Sequence, residues 1–303
     1  LSAALQSLEA IGESPSGLAL AFRSRVALLA SGDASEEKRA EDDLRRIGTF
    51  TAKEDGEHAQ QFLEMSAQVC FENERPDLAV TALELSLASA TAAGCSKQPQ
   101  KRERLSMITR ALVKLALASK ADESVQLERA NGYLLRAAEL VRSIGPVSFF
   151  GDSSLASEEE AKWFVAVSWN LAKKAAESEN WVIAKQLYLS ANSFSSLISS
   201  MAETSRMCSI LAAAAALEQA SLTGSGGATA EEALSLVTRS KKRLGTTPDK
   251  SAPLIALMEF RARALASNRR GDSDSDLAKL ADETEKDRKS TRLNSSPGKL
   301  ARM

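Results

Sequence analysis

Apolar residues recur every three or four positions along most of this 303-residue chain, and no stretch alternates them with hairpin turns between. The run 104–120, RLSMITRALVKLALASK, shows the pattern. A spacing of three and four puts side chains on one face of a 3.6-residue helix, whereas a half-buried strand needs a period of two. Short polar breaks separate one such run from the next. The fold class that follows is all-α. Aromatic residues make up only 5% of the chain while Ala, Leu and Ser abound, which favours helices joined through small contacts over a sheet core.

The spacing predicts helices over 17–30, 57–72, 77–93, 104–120, 124–144, 203–222, 229–244 and 252–267, with a helical stretch opening at SEEEAKWF (157–164). Between 31 and 48, SGDASEEKRAEDDLRRIG has acids early, basic residues late, and Gly48 as a stop. Pro76 suits a helix start after the tight break NERP. GCSKQPQK (94–101), GPVSFFGDSS (145–154) and TGSGG (223–227) read as loops or linkers.

Little in the chain supports catalysis or a cofactor. A net charge of −1 gives no global field for nucleic acid or an anionic membrane. Cys70, Cys95 and Cys208 are far apart and odd in number, which suits a reducing compartment and offers no metal spacing. His58 is the one histidine, so a His-based triad or a multi-histidine metal site lacks its members; the polar helix start EDGEHAQQ makes it a solvated surface residue. The acid clusters at 157–162 and 40–46 read as helix first turns stabilised by the macrodipole. TGSGGAT lacks the GK[ST] ending of a phosphate loop. The basic runs at 97–104 and 239–244 carry no interleaved aromatics, so direct nucleic-acid binding is not expected. The RGD triplet at 270–272 reads as chance in a polar tail. The longest apolar run, ILAAAAAL (210–217), is too short to span a membrane. No small-molecule substrate, cofactor or metal is expected, and the chain reads as non-enzymatic.

Both ends look unnatural. The chain opens at Leu1 inside a helical pattern, so a fragment of a longer protein is expected. DRKSTRLNSS (287–296) resembles a translated sequencing-adapter read-through, so 287–303, with the sequon at Asn294, is set aside as an artefact. The expected organisation is one helical array over 1–270 and a disordered tail over 271–303.

The helices also repeat. In 163–198, Leu171, Ala172 and Ala175 lie on a first helix, and Ala184, Tyr188 and Ala191 on a second. Ser66, Ala67 and Cys70, then Ala79, Leu83 and Ser86, follow the same layout, with ENERPD and ESENWV in equivalent places. A weaker copy runs through Ala118, Ala121, Ala130, Leu134 and Ala137. This layout resembles the tetratricopeptide repeat (TPR), a helical hairpin whose small residues let two helices approach closely. The array expected is a degenerate right-handed α-solenoid of antiparallel helix pairs.

All three tryptophans fall in one stretch: Trp163, Trp169 and Trp181. Six residues separate the first two, so they point to different sides of one helix. Trp169 is expected in the core, with a partner-binding anchor as the other reading. Trp181 can staple the turn before the second helix.

Residues 158–220 resemble the centre of a meiotic TPR scaffold family known as Zip-four or Spo-twenty-two, whose animal relative is a testis-expressed protein. The likeness is carried by Glu160, Lys162 and Trp163, the pair Trp169–Asn170, Ala184 on the second helix, and Cys208 before the Leu211–Leu217 run. Tyr188 belongs to the same hairpin. The resemblance implies a nuclear scaffold on meiotic chromosomes that promotes crossover formation and synapsis, with crossover and synapsis factors as partners. It leaves Asn170 either bridging within the array or meeting a partner's backbone. The family's proteins are usually much longer. A generic TPR adaptor for chaperones or trafficking is the rival reading; it would show a basic groove for an acidic tail.

Overall fold

The computed structural model describes residues 15–29, 34–50, 56–92, 103–151, 154–223, 227–244 and 252–267. The loop predicted at 94–101, Cys95, the centre of the TGSGG linker and everything expected of 271–303 lie outside the described residues. Among the described residues the chain is all-α, with twelve α-helices, one 3-10 turn and no strand. It divides into two compact units, 1–160 and 161–303.

The first unit contains α1 (Pro15–Leu29), α2 (Ala34–Phe50), α3 (Gly56–Glu72), α4 (Pro76–Ala92), α5 (Glu103–Ala118), α6 (Glu123–Ile144) and α7 (Pro146–Phe150). Each packs against the next in sequence from α1 to α6, and α1 also meets α3 while α2 meets α4. The apolar stripes explain the contacts. Leu63, Ala67 and Cys70 on α3 are buried, as are Ala79, Ala82, Leu83 and Leu87 on α4. Burying one leucine fully contributes about 2–3 kcal/mol.

Three sequence expectations change here. Gly48 does not stop α2, which runs on to Phe50. A Cβ at Gly48 would lie 3.3 Å from Leu85 Cδ2, so the glycine serves the close approach of α2 and α4. GPVSFFGDSS is not all loop. Pro146 opens α7, with Phe149 and Phe150 buried and edge-to-face at 4.8 Å. Gly145 (φ +83°) and Gly151 (φ +93°) bracket it in a backbone region that favours glycine. The acid clusters are not first turns either. Asp43 lies well inside α2 and is buried against Arg25 of α1 at 2.8 Å. Glu160 lies beyond the first turn of α8 (Ser154–Glu177) and pairs with Arg110 of α5 at 2.6 Å.

The second unit holds the rest of α8, then α9 (Trp181–Ser195), a 3-10 turn (Ser199–Met201), α10 (Ala202–Thr223), α11 (Gly227–Leu244) and α12 (Ala252–Ser267). α10 packs against α9, α11 and α12. Its alanine-rich run is therefore buried on several sides, including Ala212, Ala213, Ala215 and Ala216. Ile210, Ala213 and Leu217 meet Val237 of α11 and Ile255 and Met258 of α12 in one core. Ion pairs tie the same helices at their edges: Lys185–Glu232 at 2.6 Å, Lys241–Glu259 at 2.9 Å, and Arg261 with Glu218 at 2.5 Å. No described helix is long and apolar enough to cross a membrane.

Candidate functional site

α3 and α8 end in the same way, residue for residue. After α3, Glu74 takes φ +57°, its N–H donates to Phe71 O at 3.2 Å, and Arg75 N–H donates to Cys70 O at 2.8 Å. After α8, Glu179 takes φ +57°, its N–H donates to Ala176 O at 3.0 Å, and Asn180 N–H donates to Ala175 O at 2.8 Å. This pair of bonds is the Schellman closure, with glutamate where glycine is usual. Burial follows the same shift of the numbering from 74 to 179. Ala67 and Cys70 correspond to Ala172 and Ala175, and Ala79, Leu83 and Ser86 to Ala184, Tyr188 and Ala191; all are buried. The equivalence read from ENERPD and ESENWV therefore extends to the backbone.

The weaker copy is only half there. Ala130, Leu134 and Ala137 are buried on α6, but Ala118 is exposed and Ala121 half-buried. The inner stripe of α5 is Leu112, Val113 and Ala116 instead. Its connection to α6 is longer, and Gln126 closes it by donating to Ser119 O (2.6 Å) and Ala121 O (2.9 Å).

The tryptophans occupy different sides, as their spacing requires. Trp169 is half-buried, edge-on to Tyr188 of α9 at 5.8 Å. Trp163 is half-buried and edge-on to Phe164 at 5.0 Å; Phe164, fully buried, meets Phe194 of α9 at 5.0 Å. Trp181 is half-buried and opens α9. Asn170 is exposed. Seven residues place it on the face of Trp163, two turns along, with exposed Ala166 between them. The asparagine that works within the hairpin is Asn180, whose Oδ1 accepts from Ile183 N–H at 3.3 Å and caps α9. Sequence reasoning passed it over, although an Asn directly before a helical run is a capping signal. Ser168 also went unnoticed. It stands where α3 carries Leu63, and its buried hydroxyl has no hydrogen-bond partner.

Cys208 is fully buried on α10; burial pushes its thiol up to about 12, against a smaller lowering effect of the Ser195 hydroxyl. Burial likewise raises Cys70 to about 12. Thiols held protonated in this way are poor nucleophiles at neutral pH. Tyr188 is pushed above its usual value, by burial first and by Cys208 and Glu177 next. His58 is exposed at the start of α3. No group of acids, cysteines or histidines among the described residues is arranged to hold a metal. The hairpin thus offers half-exposed aromatic faces and an exposed asparagine, the chemistry of a protein contact. No protein-family model, curated protein or solved structure matches the chain.

Proposed function

We propose that the chain is a non-enzymatic scaffold, an array of TPR-type helical hairpins in a right-handed solenoid, serving meiotic crossover formation and synapsis in the nucleus. The observation that carries the array is the recurrence of one hairpin, turn and burial included, at Glu74 and Glu179. A hairpin of this kind buries its faces by stacking on neighbours, and a stack presents a long surface on which several proteins dock at once. The meiotic assignment comes from the resemblance over 158–220. The exposed Asn170 and half-exposed Trp163 give that resemblance a face that a partner can reach. The free, buried thiols Cys70 and Cys208 suit a reducing compartment.

The adaptor alternative needs cations free to grip an acidic tail. In the second unit Lys185, Lys241, Arg261 and Arg263 are each paired with a glutamate, while Arg239 and Lys242 are exposed. Affinity purification of the tagged full-length protein from meiotic cells, followed by mass spectrometry, tests the assignment. Crossover and synapsis factors are the expected partners. Recovery of chaperones or trafficking proteins alone would replace the meiotic reading with the adaptor.

A further inference from the structure

α6 carries a glycine for which the packing of the described helices gives no reason. Gly132 lies near the middle of this 22-residue helix, is exposed, and a Cβ added to it would meet no atom within 4 Å. Alanine is the more stable residue at such a place. Gly48 shows one use of a mid-helix glycine in this chain, where α2 and α4 approach closely. Gly132 offers the same close approach on an open face, since Leu127, Ala130, Leu134 and Val141 turn the other side of α6 inward.

Opposite charges flank the glycine at equal distances. Glu128 stands four residues before it and Arg136 four after, each about 6 Å away along the axis, and both are exposed. Neither makes an ion pair among the described residues. Tyr133 donates its hydroxyl to Glu84 of α4 at 2.6 Å and so turns aside. Residues four apart form the ridges along which packed helices most often cross, at about 50°. When two copies of the ridge 128–132–136 cross in opposite directions over Gly132, two-fold symmetry brings each Glu128 to the other copy's Arg136. A parallel crossing sets Glu128 against Glu128 and Arg136 against Arg136. Arg129 and Glu139 lie off this ridge.

We propose that a second copy of this chain docks on this face: α6 crosses α6 in antiparallel direction at Gly132, with a Glu128–Arg136 ion pair at each end of the contact. The missing side chain lets the two backbones come close, and the reciprocal charges fix direction and register. The contact is its own complement under a two-fold axis, so it closes at the dimer. One helix laid on one helix is a small contact, which places this dimer among weak interfaces. The inference stands whether or not the other partners are meiotic.

Sedimentation equilibrium of the full 303-residue chain tests the proposal. The mass is expected to rise with concentration from 32.4 kDa toward twice that value. Glu128→Arg alone and Arg136→Glu alone each put like charges at both ends of the contact, and each is expected to weaken association about tenfold or more. A mixture of these two variants recovers both ion pairs in the mixed dimer, so it is expected to associate as the unaltered chain does. Gly132→Leu is expected to abolish association while the melting midpoint holds or rises, because the new side chain enters open space. A mass that stays at one chain over the whole concentration range overturns the proposal. Association that both single variants leave unchanged overturns it in favour of another face, and a mixture as weak as either variant alone overturns it in favour of another register.

Discussion

At the scale of single residues, the two turns show a side chain held where a glycine would be at ease. Glu74 and Glu179 both take φ +57°, a region that crowds Cβ against the following carbonyl. Glu74→Gly and Glu179→Gly are each expected to raise stability, by about 0.5–1 kcal/mol after the greater freedom of glycine in the unfolded chain is counted. Thermal melts of the two variants check this; a fall in both midpoints would mean that the glutamate side chains make contacts worth more than the strain. Trp169 is a different case. It is half-buried rather than enclosed, so Trp169→Ala is expected to cost about 2–3 kcal/mol, below the range for a fully buried tryptophan. Chemical denaturation measures it. An unchanged midpoint with lost partner binding would make Trp169 an interface anchor instead. Residue identity alone could not separate these roles, because a tryptophan six residues from another is legible as a change of side, and how far each side is covered depends on α9.

At the scale of elements, the periodicity made nearly every described helix legible, and the failures share a cause. A glycine, a loop composition or an acid cluster was read by its local preference, and a neighbour overrode it. Gly48 looked like a stop until Leu85 of α4 supplied the reason for a small residue in mid-helix. Pro146 and the two phenylalanines were readable as a short buried helix, since Pro at a first helical position followed by an apolar pair is a start signal. Asp43 read as a first-turn acid, and the arginine that makes it a buried partner lies on another helix. Asp43→Ala leaves Arg25 charged and buried, so a loss of about 3–5 kcal/mol is expected in equilibrium unfolding. The thiols of α3 and α10 give a second check on packing. Their folded values near 12 stand above an ordinary value of 9.0. The protonated form is therefore favoured by folding. That contribution is complete below pH 9 and is lost as pH climbs from 9 toward 12. Melting midpoints measured over that window in reductant should fall, and Cys208→Ala should flatten part of the slope.

At the scale of the whole molecule, the all-α class was legible and a matched pair of hairpins with it, whereas the division into two compact units was not. That division falls inside α8, and a continuous helix gives the sequence no break to mark it. Residues 287–303 are expected to contribute nothing to folding. Removing them should leave the melting curve unchanged, and a clear drop would show that they belong to the native structure.

Packing between sequence neighbours has a further consequence, which concerns time. When each helix finds its partner in the segment just before or after it, closing the contact requires only a short loop. The early hairpins of this chain can therefore gain their inner contacts while the later ones are still being synthesised. The helices that α1 to α4 pack against most extensively lie within the first 118 residues. A ribosome can therefore release such a chain with its early hairpins already packed.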